Sequence, residues 1–298
     1  MMGDQKMNRL QQAESLFVKL LVVVVSVVGI SLIAAAPAKA APVRVGIVSG
    51  GSASAANLAS QLNDDTFFDF NAVVISPSDA DTAIELAAYD VVILGDSGNS
   101  DNGYSAQMLA AIRAWMDSGA GVVTVGWYVY GANSYAGQTF IDADYITPIN
   151  LAAGAGYDFQ SDGIFHLDTN THPITNGITD FPINGCCLEY DTALDSGAFN
   201  LGSPGSNPSG YALAYQEING RSVYLGNLYL ASTGYSQEPY TRTGIQDRLL
   251  EQAVFWAANG YPSASTVPAM NEWGIIIFVL LAGLGSVYYL KKQRRADV

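Results

Sequence analysis

The chain has 298 residues and carries 27 acidic against 13 basic side chains, a formal charge of −14 at pH 7. The imbalance is concentrated in residues 41–262, where five arginines and no lysine face 23 acidic residues, for a net of −18. A segment that negative repels nucleic acid and anionic lipid surfaces, which excludes both as partners of the folded part, and its 222 residues are ample for one core in one or two domains.

The first forty residues have the plan of a secretory signal peptide. Lys6, Arg9 and Lys19 form a positive n-region, and Leu20 to Ala36 is apolar and uncharged. Ala38-Lys39-Ala40 then presents small residues ahead of Ala41-Pro42, so cleavage is predicted after Ala40. The alternative is a retained N-terminal membrane helix, because the apolar run is long for an h-region.

Strand and helix patterns alternate from there. Val43 to Val48 predicts a buried strand, closed by Ser49-Gly50-Gly51, and Ala55 to Leu62 a short helix. Asn71 to Ile75 and Val91 to Gly95 predict further strands, with a helix over Ala83 to Ala88 between them. Ser105 to Asp117 carries a helical stripe through Met108, Leu109, Ile112, Trp115 and Met116, and Gly119 ends it. Gly121 to Gly126 predicts the fourth strand. Strands this apolar need cover on both faces, which calls for a mostly parallel sheet with helices on both sides. The expected class is therefore α/β, a doubly wound, flavodoxin-like sheet.

The second half is less regular. Tyr211 to Tyr215 and Arg221 to Leu225 predict two strands, with Asn219-Gly220 as a hairpin turn signal. A last helix is expected over Ile245 to Ala258, ending at Gly260. The chain thus divides into a signal peptide (1–40), an α/β domain (41–262), a linker and motif segment (263–273), an apolar span (274–290) and a basic tail (291–298). Gly274 to Leu290 is uncharged over seventeen residues, at the short limit of a spanning helix. Lys291, Lys292, Arg294 and Arg295 favour a cytoplasmic tail, and Trp273 and Tyr288-Tyr289 mark the two interfaces.

Val267-Pro268-Ala269-Met270-Asn271-Glu272-Trp273-Gly274, an apolar span and a basic tail together resemble the IPTL-CTERM sorting signal. Val267, Pro268, Glu272, Trp273 and Gly274 carry the motif, while Ala269 stands where the family has threonine. The resemblance implies export across the inner membrane of a Gram-negative bacterium and an exosortase-like sorting enzyme as partner. It implies a domain anchored through the C-terminal helix facing the periplasm, or presented at the cell surface after sorting.

The domain itself resembles the class I glutamine amidotransferase-like fold, and within it the trehalose-utilisation (ThuA-like) group. The resemblance is carried by Thr171-His172-Pro173-Ile174-Thr175-Asn176-Gly177-Ile178, by Leu188-Glu189-Tyr190 and by Gly220-Arg221-Ser222-Val223-Tyr224-Leu225-Gly226. Working amidotransferases place a cysteine on the turn after a central strand. The corresponding turn is Val125-Gly126-Trp127-Tyr128-Val129-Tyr130-Gly131, which has no Cys, Ser or His. Amidotransferase chemistry needs a thiolate there, so the expectation leans away from an enzyme, and no catalytic residue is assigned.

Ser49-Gly50-Gly51-Ser52 offers backbone amides to an anion where open parallel sheets bind ligands, but no phosphate-loop lysine follows. The predicted ligand cleft comprises Ser49, Gly50, Gly51, Asp96, Ser97, Trp127 and His172. Gly95-Asp96-Ser97-Gly98 has the look of a serine-hydrolase string, with only His166 and His172 to serve as base; a loop at a strand end is the plainer reading. His166, His172, Asp162 and Asp168 match no standard ligand spacing, so no metal is assigned. No cofactor is expected; the oxygen-rich loop from Asp96 to Gly103 would suit calcium but lacks EF-hand spacing. Cys186 and Cys187 are adjacent and leave three options: a strained ring, a bridge between chains, or two thiols. Tyr128, Tyr130, Tyr135 and Tyr145 offer rings that stack on sugars or anchor loops, which makes a glycan the candidate envelope ligand. The functional expectation is a non-catalytic domain that binds at the envelope or in the extracellular matrix. The alternative is an envelope hydrolase acting on carbohydrate or amide.

Overall fold

In the computed structural model of the chain, the described residues are 41–49, 53–96, 104–134, 145–151, 157–230, 238–258 and 283. The chain divides into two compact units, Met1–Ala41 and Pro42–Val298. The signal segment, linker, sorting motif, apolar span (Gly283 apart) and tail lie outside the described residues. Among the described residues, no helix is long and apolar enough to cross a membrane.

Strands and helices alternate through the first half: β1 (Val43–Val48), α1 (Ala53–Leu62), β2 (Phe70–Ile75), α2 (Ala83–Leu86), β3 (Val91–Leu94), α3 (Ala106–Met116), β4 (Gly121–Val125) and α4 (Tyr128–Ser134). Short strands then follow one another: β5 (Asp158–Gln160), β6 (Gly163–Leu167), β7 (Phe181–Ile183), β8 (Leu188–Tyr190), β9 (Phe199–Pro204), β10 (Leu213–Gln216) and β11 (Arg221–Leu225). The helices α5 (Glu238–Thr241) and α6 (Gly244–Ala257) close the described fold.

Nine strands form one sheet in the order β2-β1-β3-β4-β11-β10-β9-β6-β7. The first five are parallel. Their order is 2-1-3-4-5, that of a doubly wound flavodoxin-like sheet. From β11 onward every pairing is antiparallel. The α/β expectation therefore describes the parallel half, and the sheet as a whole is mixed. A separate ribbon pairs β5 with β8.

Period-two alternation explains why the parallel half is buried on both faces. Val45, Ile47, Val91, Ile93, Val123, Val125, Val223 and Leu225 point into one cluster with Leu58 and Leu62 of α1 and Leu249, Leu250 and Val254 of α6. Val48, Val92, Leu94, Val122 and Tyr224 point into the other, against Leu86 of α2, Met108, Ile112 and Trp115 of α3, and Tyr128 and Val129 of α4. Each fully buried Val, Leu or Ile contributes roughly 1.5–3 kcal/mol.

Local signals fix the ends. Thr82 and Glu85 form a capping box on α2. Ser105 Oγ accepts from the Met108 N–H at 3.1 Å to start α3. Asn219 (φ +48°) and Gly220 (φ +105°) both take left-handed backbone in the β10–β11 turn, as the type I′ signal requires.

Candidate functional site

The C-terminal ends of the parallel strands converge on the turn between β4 and α4. Gly126 donates its N–H to the Asn227 carbonyl at 3.0 Å, just past β11. A Cβ on Gly126 would collide with the Gly226 carbonyl oxygen, so this position accepts only glycine. Trp127 follows with φ +70°, a left-handed conformation that costs a non-glycine residue of order 1–2 kcal/mol. The chain then enters α4, where the Gly131 N–H returns to the Trp127 carbonyl at 3.0 Å. Strand, strained residue and helix are the geometry of a nucleophile elbow. An indole, which offers no nucleophile, stands at its apex.

Beneath the elbow lies Glu189 of β8, fully buried. Its carboxyl oxygens accept from the Tyr130 N–H at 2.6 Å and the Val129 N–H at 3.4 Å in the first turn of α4. The Tyr224 hydroxyl donates to it at 3.0 Å. Burial pushes the Glu189 carboxyl up to about 8, against the opposing pull of the Tyr130 N–H, the Tyr224 hydroxyl and the Val129 and Trp127 N–H groups. The backbone donors that would hold an external anion at a helix start are thus committed to an internal carboxyl. Sequence reasoning cites Glu189 only within a family stretch; a glutamate in a three-residue strand gives no local sign of burial.

The side chains of Cys186 and Cys187 abut each other, the arrangement that the ring among the three options would use. The pair packs with Trp127 and Leu228 in a small apolar cluster. Tyr130 lies 5.0 Å from the Trp127 ring and Phe159 of β5 lies 6.0 Å away, both measured between centroids. Tyr157 continues the row at 5.5 Å from Tyr130.

The predicted cleft is brought together only in part. Ser49 is buried at the end of β1, its N–H donated to the Ile75 carbonyl. Asp96 lies two residues past β3, its N–H donated to the Leu230 carbonyl at 3.2 Å. Gly50, Gly51 and Ser97 lie outside the described residues, as does the loop considered for calcium beyond Asp96. His172 does not join this group. Its ring stacks on Tyr215 at 4.1 Å and meets Trp256 edge-on at 5.3 Å. Arg221, whose guanidinium lies over Trp256 at 4.8 Å, pairs in register with Gly121 at the start of β4. His172 therefore sits at the opposite end of the sheet from Trp127, roughly the length of a five-residue strand away, or about 16 Å. Burial and the Arg221 charge lower its pKa to about 4, which keeps the imidazole neutral. Its Nδ1 accepts from the Ile174 N–H at 3.2 Å, in keeping with a structural hydrogen bond beside Pro173.

His166 stands on β6 and contacts Asp180 at 2.7 Å. Four strand spacings, about 19 Å, separate β6 from β4. Neither of the chain's two histidines reaches the elbow. Among the described residues there is no cluster of three or more His, Cys, Asp or Glu side chains able to hold a metal ion. Of the four tyrosines, Tyr128 is buried, Tyr145 lies under the Arg113 guanidinium at 5.2 Å, Tyr135 falls outside the described residues, and Tyr130 is exposed.

No family model matches the chain, and no curated protein matches it. Among solved structures it is similar to a proposed GMP synthase component from Thermoplasma acidophilum. The two share 9% identity over 74% of this chain and 99% of that one, with a TM-score of 0.45.

Proposed function

We propose that this chain displays a non-catalytic α/β domain at the cell envelope, where the domain serves binding. The observation that carries the reading is Trp127: the turn has the backbone of a nucleophile elbow and holds an indole at φ +70° where a nucleophile would stand. Glu189 supports it, because its carboxyl takes up N–H donors of the following helix. The two histidines support it from their places on other parts of the sheet. The export and anchoring half rests on the terminal sequence patterns, and the amidotransferase-like, ThuA-like family reading rests on the quoted motifs. An exosortase-like enzyme would be the sorting partner.

The rival reading, an envelope hydrolase, requires a base at the site of chemistry. The test is turnover by the full chain with glutamine, a chromogenic acyl ester and chromogenic glycosides. The expected result is no turnover above background, unchanged in His172→Ala. Turnover that falls in His172→Ala or in an Asp96→Asn variant, with folding intact, would overturn the non-catalytic reading.

A further inference from the structure

We propose that the Asn63 side chain is a latch on the outer edge of the sheet, occupying the backbone groups through which β2 would otherwise pair with β2 of a second copy of this chain. The inference is independent of the binding reading above. β2 is the outermost strand of the nine and pairs only with β1. Val43 and Ser49 donate their N–H groups to the Asp69 and Ile75 carbonyls. Backbone direction alternates along a strand, so Asn71 and Val73 also face β1, while Phe70, Ala72 and Val74 turn their N–H and C=O groups outward. An edge of this kind is a template for another strand.

Asn63, the residue after α1, closes that edge at Ala72. Its Oδ1 accepts from the Ala72 N–H at 2.7 Å, and its Nδ2 donates to the Ala72 carbonyl at 2.9 Å. This is the exchange of both bonds that a residue of a neighbouring strand would make. Further along, Ser76 donates its N–H to Asp79 at 3.2 Å, and Pro77 follows with no N–H to give. The far edge of the sheet is stopped by another device. Pro182 stands in the three-residue β7, and its carbonyl accepts from Gln246 Nε2 at 3.4 Å. Val74 lies between the closures at Ala72 and Ser76; it is 42% exposed, and Val73 is 41% exposed. Those valines point to a second copy as the strand held off. An antiparallel β2–β2 pair with its two-fold axis at Val73 sets Ala72 of each copy opposite Val74 of the other, as hydrogen-bonded pairs. The two Val73 side chains then cover each other. With Asn63 on Ala72, Val74 of the approaching copy finds no partner.

The test is sedimentation of the full chain in zwitterionic detergent, at graded protein-to-detergent ratios. The wild type is expected to stay monomeric. Asn63→Ala should self-associate about 10- to 100-fold more tightly, as freed backbone groups find partners in a second copy. Adding Val74→Lys should reverse this, because a charge on an edge strand opposes pairing. A cysteine reporter separates edge pairing from general aggregation. Facing residues of the expected pair bring their Cα atoms to about 4.5 Å, within disulfide reach. With Val73→Cys, oxidation should therefore link Asn63→Ala chains through position 73 and leave chains that keep Asn63 unlinked. Ile84→Cys, at an 88% exposed position on α2, is the comparison. An Asn63→Ala protein that stays monomeric, chains with Asn63 that already link through position 73, or linkage through position 84 as ready as through 73 would overturn the latch.

Discussion

Glu189 makes the stability of this domain depend on pH in a direction opposite to that of most paired carboxylates. Its ordinary value is 4.5, and in the folded chain burial raises it to about 8. Between those values the native state holds a proton that the unfolded chain releases, so stability falls as pH rises through this window. The contribution is fully present below about 4.5 and lost above about 8. Over pH 5.5 to 8.5 the change amounts to about 3 kcal/mol. Glu189→Gln isolates it. The amide keeps an acceptor oxygen for the Tyr130 N–H or the Tyr224 hydroxyl and, like the protonated acid, carries no charge. Urea denaturation of both proteins across pH 5.5–8.5 reads the difference directly. At pH 5.5 the variant should equal the wild type or fall about 1 kcal/mol below it; at pH 8.5 it should be the more stable. Glu251, pushed up to about 7, and Asp191 and Asp247, also raised by burial, add to the slope of both proteins. They cancel in the comparison. Parallel curves for variant and wild type would refute the assignment of a buried, protonated acid beneath the elbow.

Strain at the apex predicts an inverted ranking: Trp127→Gly should be more stable than Trp127→Ala by about 1 kcal/mol, read as urea midpoints, because only glycine takes φ +70° freely. Gly126→Ala should lose cooperative unfolding or several degrees of melting temperature, since its Cβ would meet the Gly226 carbonyl. His172, depressed to about 4, acts in the other sense from Glu189: its share of stability is present above pH 6.5 and lost as pH falls through 4, so His172→Ala should flatten the acid limb of the melting curve. Closure of the abutting Cys186 and Cys187 into the ring predicts that alkylation of the unfolded chain adds nothing before reduction and modifies both cysteines after it, read by peptide mass.

How much of this is legible in the sequence depends on the range of the contacts. The parallel half is readable because Val45, Ile47, Val91 and Ile93 carry their alternation within one strand each, and Ser105, Gly119 and Asn219-Gly220 mark their own boundaries. Strands β5, β7 and β8 have three residues apiece, too few to show a period, and their pairings are set by distant partners such as Asp158 with Tyr190. The turn at Trp127 can be located from its neighbours, but α4 after it contains two tyrosines and a glycine and has weak intrinsic helix propensity. It depends on Glu189, 59 residues from Tyr130, for its first hydrogen bonds. The family stretch groups His172 with the cleft, whereas packing against Tyr215 and Trp256 fixes it at the far end of the sheet. Ser49, Asp96 and Trp127 do share one end, because each follows a strand of the same parallel set.

Display at the envelope is the claim on which the functional account turns, and the intact mass of the protein recovered from its native envelope and medium, with both termini sequenced, tests it most directly. The account predicts a species that begins at Ala41 and either ends at Val298 in the membrane or ends near Val267 to Trp273 after sorting. A species that retains Met1 and is found in the cytoplasm would contradict it.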